Sequence, residues 1–150
     1  GNMLFLWIYG DNVELHVGRL GYITIYLLTG MAAVGLHAAF RLDSMVPMVG
    51  ASGAISGVLG CYFLWFPRNQ VRVLVVIFFF IQIIRLPARW VLGFYLVVEN
   101  LLPFVLSSSG TGVAYGAHIG GFVAGAVLAK PFTVGRSTTV VPAWQDPRTR

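Results

Sequence analysis

Ser52 and His118 are the two residues in this sequence whose types could jointly carry out a reaction. A serine hydroxyl is a poor nucleophile until a base takes its proton, and histidine is the usual base because its ring titrates near neutrality. Ser52 stands in Gly50-Ala51-Ser52-Gly53, which opens the apolar run 54–66. His118 stands in Ala117-His118-Ile119-Gly120-Gly121, near the start of the last apolar run. Polar and ionisable side chains inside such runs are costly and are functional candidates by default.

Bringing the two together is a matter of helix faces. Ser52, Ser56 and Gly60 recur at i, i+4 and i+8, with Gly53 and Gly57 on an adjoining stripe. His118, Gly121 and Gly125 recur at i, i+3 and i+7, on one face of a second helix. Small residues four apart let membrane helices approach closely. The two stripes are therefore expected to meet, with Gly50, Gly53, Gly57, Gly121 and Gly125 packing around the pair and the imidazole within reach of the Ser52 hydroxyl. Either stripe alone is more often packing than catalysis, and a lone intramembrane histidine also serves as a proton relay or polar clamp. Ser56, a turn deeper, reads as packing. No third member is evident; Glu99 lies within a span, as a gate or a polar contact.

The chain has 150 residues, 57% hydrophobic and 10% charged, where an ordinary soluble domain is about 25% charged. That deficit excludes a soluble globular class. The net charge of +5 does not point to nucleic acid, because the basic residues sit at the ends of apolar runs, as topology signals do. Cys61, in an apolar run, reads as packing. His16, His37 and His118 lack the spacing of a metal site, and no cofactor is called for.

The elements follow from the runs. Residues 1–9 read as the second half of a spanning helix, rising roughly 13 Å, so residues are expected upstream. That helix is expected to end at Gly10-Asp11-Asn12, with a polar link at 13–18. Spans are expected at 20–40, 50–66, 90–106 and 113–129, with loops at 41–44 and 107–111 and an approach to Ser52 from Pro47. The stretch 71–88 has an uninterrupted apolar core of only 73–81, bounded by Arg72, Arg85 and Arg89. It reads as an interfacial or re-entrant segment broken at Pro87. The expected division is a transmembrane core over 1–132 and a polar, disordered tail over 133–150. Threading these spans puts Arg19, Arg68, Arg72, Arg85, Arg89, Lys130 and Arg136 on one side and Arg41 alone on the other. The expectation is an all-α, multi-pass bundle in a plasma (inner) membrane, with the C-terminus cytoplasmic and Ser52 and His118 towards the far face.

Gly50-Ala51-Ser52-Gly53 and Ala117-His118-Ile119-Gly120-Gly121, with Gly1-Asn2-Met3 and Gly10-Asp11-Asn12-Val13-Glu14, resemble the rhomboid family of intramembrane serine proteases over about residues 1–130. The resemblance implies a six-helix core whose first helix is missing here and whose second is partial. It implies that Ser52 attacks a peptide bond of a transmembrane protein substrate and that His118 is its base and acid. It also implies an oxyanion site made of the Ser52 backbone N–H and Asn2. The family histidine one turn before the Asn2 position would precede Gly1. Some members stack the imidazole on a Tyr one turn after the serine, where this chain has Ser56. The rival readings are a non-catalytic protein of the same fold that binds transmembrane helices and, ranked last, a small transporter; a soluble α/β hydrolase lacks its nucleophile-elbow motif. Bilayer and substrate are the implied partners, and the oligomeric state stays open.

Overall fold

The computed structural model describes residues 1–40, 50–106 and 114–132. Expectations about Arg41, Pro47, the loops at 41–44 and 107–111 and the tail at 133–150 fall outside them.

The first helical path comprises α1 (Asn2–Phe5), a π-helical turn (Leu6–Gly10) and α2 (Asp11–Phe40). It does not end at Gly10-Asp11-Asn12, as the polar residues there led one to expect. Asn12 is buried and donates from its amide to the Tyr62 hydroxyl at 3.1 Å, and Val13 is fully buried beside it. The polarity at this point serves a contact between helices and not a turn. The path bends at Gly18 instead, at φ 79° and ψ 166°, a conformation open essentially to glycine alone.

From the bend α2 runs to the end of the bundle where α3 (Ser52–Trp65) begins, and α3 returns. Then α4 (Ala88–Phe94), a second π-helical turn (Tyr95–Leu101) and α5 (Leu102–Leu106) form one continuous helix. The last helix, α6 (Tyr115–Ala129), returns again and closes in a 3-10 turn, Lys130–Phe132.

The continuous paths Asn2–Ala39 and Ala88–Leu106 are long and apolar enough to cross a bilayer; α3 and α6 are shorter apolar helices. Large apolar side chains such as Leu20, Leu27, Met31, Val105 and Val127 are exposed on the outside of the bundle. In a soluble protein the apolar face of a helix turns inward. A bundle apolar both inside and out is a membrane protein.

The closest packing is α3 on α6. A Cβ on Gly121 would strike the carbonyl of Gly53, and one on Gly125 the carbonyl of Gly57. Behind this contact α2 closes on both helices, with Thr29 against Gly57 and Leu36 against Gly120. At the far end from Ser52 the core is larger, built on Trp65, Phe66, Leu59, Val13 and Leu92. There the Trp65 indole donates to the Ala129 carbonyl at 3.1 Å, and the Cys61 thiol to that of Gly125 at 3.2 Å.

The all-α expectation is corrected at 71–88. Gln70–Ile77 (β1) and Phe80–Pro87 (β2) pair as an antiparallel hairpin, with Arg72 opposite Arg85 and Val76 opposite Ile81. β-Branched residues fill five of the eight positions of β1 and three of the eight of β2, and these lose side-chain freedom in a helix but suit a pleated surface. Pro87 ends the hairpin, as expected of it as a break, and the Ala88 and Arg89 amides bond back to the Asn69 and Pro67 carbonyls at 2.7 and 3.1 Å.

Candidate active site

Two helix N-termini meet at one end of the bundle. Ser52 is the first residue of α3, preceded by Gly50 at φ 129°, a left-handed backbone that favours glycine. The first intrahelical bond runs from the Ile55 amide to the Ala51 carbonyl at 3.0 Å, so the Ser52 N–H has no partner within its helix. His118 lies in the first turn of α6, its amide bonded to the Ala114 carbonyl at 3.3 Å. Because α3 and α6 touch at Gly53–Gly121 and Gly57–Gly125, both side chains start at the same depth. The Nε2 of His118 lies 2.8 Å from the Ser52 Oγ. Both residues are half-buried.

The other imidazole nitrogen is also engaged. Nδ1 lies 2.7 Å from the Oδ1 of Asn100, which is 2% exposed. Asn100 in turn donates from Nδ2 to the Tyr95 carbonyl, five residues back, at 2.8 Å. Tyr95 and Asn100 both lie in the π-helical turn Tyr95–Leu101, and this side-chain bond spans five residues of it. The Tyr95 hydroxyl and the Ser56 hydroxyl are 2.7 Å apart. Ser56 thus joins α3 to the helix Ala88–Leu106 by a hydrogen bond, beyond the packing expected of it. Sequence reasoning missed Asn100. Glu99, the candidate weighed in its place, is exposed.

Gly50, Gly53, Gly57, Gly121 and Gly125 all surround the Ser52–His118 pair or the helix contact beneath it. Asn2 is different. It is exposed at the start of α1, and no hydrogen bond among the described residues links it to Ser52 or His118. Its turn of helix is anchored nearby by Phe5, whose ring lies 5.8 Å from that of Tyr95. His16 lies elsewhere, against Trp65 and Phe66. Among the described residues, no three His, Cys, Asp or Glu side chains are grouped to hold a metal ion.

The comparison with known families decides what this bundle is: the Rhomboid domain matches residues 1–134. The chain belongs to the rhomboid family. A curated rhomboid relative, "Rhomboid protein 1, mitochondrial" of Saccharomyces cerevisiae, is 32% identical over 78 residues, which is 49% of this chain and 22% of that protein. The chain spans well under two thirds of that relative. No solved structure matches.

Proposed function

We propose that this rhomboid chain is an intramembrane serine endopeptidase. The observation that carries the reading is the 2.8 Å approach of His118 Nε2 to Ser52 Oγ at the mouth of two glycine-packed helices. Nε2 takes the hydroxyl proton as Oγ attacks the scissile carbonyl carbon. The resulting oxyanion lies against the Ser52 N–H, which has no partner within its own helix and stands at the positive end of α3. Asn2, exposed at the start of α1, is the second donor we propose. Collapse breaks the C–N bond; the amine leaves with the proton from His118, and an acyl ester remains on Ser52. Water then attacks that ester, with Nε2 again taking the proton.

Helix length supports a substrate within the bilayer. The 14 residues of α3 and 15 of α6 rise about 21 and 22 Å, short of a hydrocarbon core of about 30 Å. With their far ends at one membrane surface, their N-termini start below the other. A nucleophile at that depth meets a transmembrane segment near its end, and irregular backbone there calls for a cavity that holds water.

The test is a fluorophosphonate probe, which reacts with activated serines, applied to the purified protein. Wild type should label, and Ser52→Ala and His118→Ala should not. Labelling that persists in Ser52→Ala would eliminate Ser52 as nucleophile. Silence of the wild type would favour the rival reading, a rhomboid-fold protein that binds transmembrane helices without cutting them.

A further inference from the structure

We infer that Asn100 is the third member of the site, a positioning residue that fixes the tautomer and direction of the His118 ring. The inference rests on the reading of Ser52 and His118 as nucleophile and base, and adds to it a residue from a third helix.

An amide side chain has one accepting oxygen and one donating nitrogen. The Tyr95 carbonyl can only accept, so the atom of Asn100 facing it at 2.8 Å is the donor Nδ2. Oδ1 is then the atom turned to the imidazole, at 2.7 Å. An amide oxygen can only accept, so Nδ1 of His118 carries a hydrogen and donates it. A neutral ring with its hydrogen on Nδ1 has its lone pair on Nε2, the nitrogen 2.8 Å from Ser52 Oγ. The chain Tyr95 carbonyl, Asn100, His118, Ser52 therefore has one consistent set of hydrogen positions, and it leaves His118 ready to accept the serine proton. The opposite tautomer would set two acceptors, Nδ1 and Oδ1, against each other at the buried Asn100 amide.

The π-helical turn makes this possible. An ordinary α-helix would pair the amide at 99 with the carbonyl at 95. The extra residue in the turn rotates Asn100 inward and Glu99 out, and leaves the Tyr95 carbonyl where the Asn100 side chain reaches it. A serine, histidine and amide in this order repeats the logic of triads in which Asn orients the base.

The test measures the fluorophosphonate reaction as two constants, the binding constant KI and the inactivation rate kinact, for Asn100→Leu and Asn100→Asp. Leu keeps the branch at the γ carbon, with more bulk, and removes the acceptor. Asp keeps an oxygen for Nδ1–H and, as the acid, a donor for the Tyr95 carbonyl. Asn100→Leu should lower kinact by at least about tenfold with KI unchanged, and Asn100→Asp should restore most of the loss. A Leu variant that reacts at the wild-type rate overturns the role of Asn100 and leaves the Ser52–His118 reading standing. Equal losses in Leu and Asp, or a change in KI alone, reduce Asn100 to a structural contact and also overturn it. A wild type that fails to label overturns this inference together with the reading beneath it.

Discussion

At the scale of single residues, the site works by leaving few polar atoms free. The Ser52 hydroxyl, both His118 ring nitrogens and both Asn100 amide atoms are engaged with one another or with Tyr95. On the proposed reading, the oxyanion would lie against the Ser52 N–H. If Asn2 supplies the second donor, Asn2→Ala should lower kinact for the fluorophosphonate probe by about 100-fold, the usual cost of one oxyanion donor, with KI and thermal stability little changed. Wild-type kinact in that variant would remove Asn2 from the site. Legibility at this scale was uneven. Ser52 and His118 stand out as a pair, because a hydroxyl and an imidazole lie on two facing small-residue stripes at similar depth. Asn100 does not, because it adjoins Glu99 in a run where helical phase alone decides which of the two faces inward. A π-helical turn shifts that phase by one residue without any signature of composition. Asn2, whose side chain is exposed and has no hydrogen bond to Ser52 or His118 among the described residues, was named through the family resemblance alone.

Elements carry the residues, and here glycine spacing does most of the positioning. Gly121 and Gly125 abut the carbonyls of Gly53 and Gly57, so the depth at which His118 meets Ser52 is set by backbone contact and not by adjustable side chains. Gly121→Val or Gly125→Val should push α6 off α3, abolish labelling of Ser52 and lower the melting temperature, since overpacking typically costs about 1–3 kcal/mol even where side chains can yield. Gly93 is the control: a Cβ there meets nothing within 4 Å, so Gly93→Ala should label and melt as wild type. Full activity in both valine variants would mean that the site does not depend on this contact. These stripes were legible because small residues at i and i+4 have a direct meaning for membrane helices. The bend was not. Gly10-Asp11-Asn12 has the composition of a helix end, but burial of Asn12 against Tyr62 outweighs it, and the break moves to Gly18.

For the whole molecule, the question is how the hairpin sits against the bilayer. Its sequence gave little warning of strands: a short apolar run is consistent with either buried helix or strand, and the turn at Phe78-Phe79 lacks the Gly or Asn usual in two-residue hairpins. As built, it projects an apolar face away from the bundle. Leu74, Val76, Ile81 and Ile83 are exposed on one side, and Phe78 and Phe79 at the tip are 92% and 98% exposed. Arg72 and Arg85 stand opposite each other on that same face, an arrangement that like charges disfavour and that anionic headgroups between them would relieve. Strands of 8 residues span about 26 Å, but two open edges carry N–H and C=O groups too costly to leave unpaired in hydrocarbon. We propose that the hairpin lies along the membrane surface, with Phe78 and Phe79 among the upper acyl chains, the edges at headgroup depth and the arginines on phosphate. Phe79→Cys, labelled with an environment-sensitive fluorophore (Cys61, the other thiol, is buried), should then be quenched in vesicles by lipids spin-labelled high on the chain and protected from aqueous iodide. The arginines should matter too: Arg72→Glu with Arg85→Glu should raise iodide access in vesicles rich in anionic lipid. Iodide quenching equal to that of free dye would put the hairpin in water. Protection from both quenchers would put it against protein, and either result would end the case for a lipid-bound hairpin.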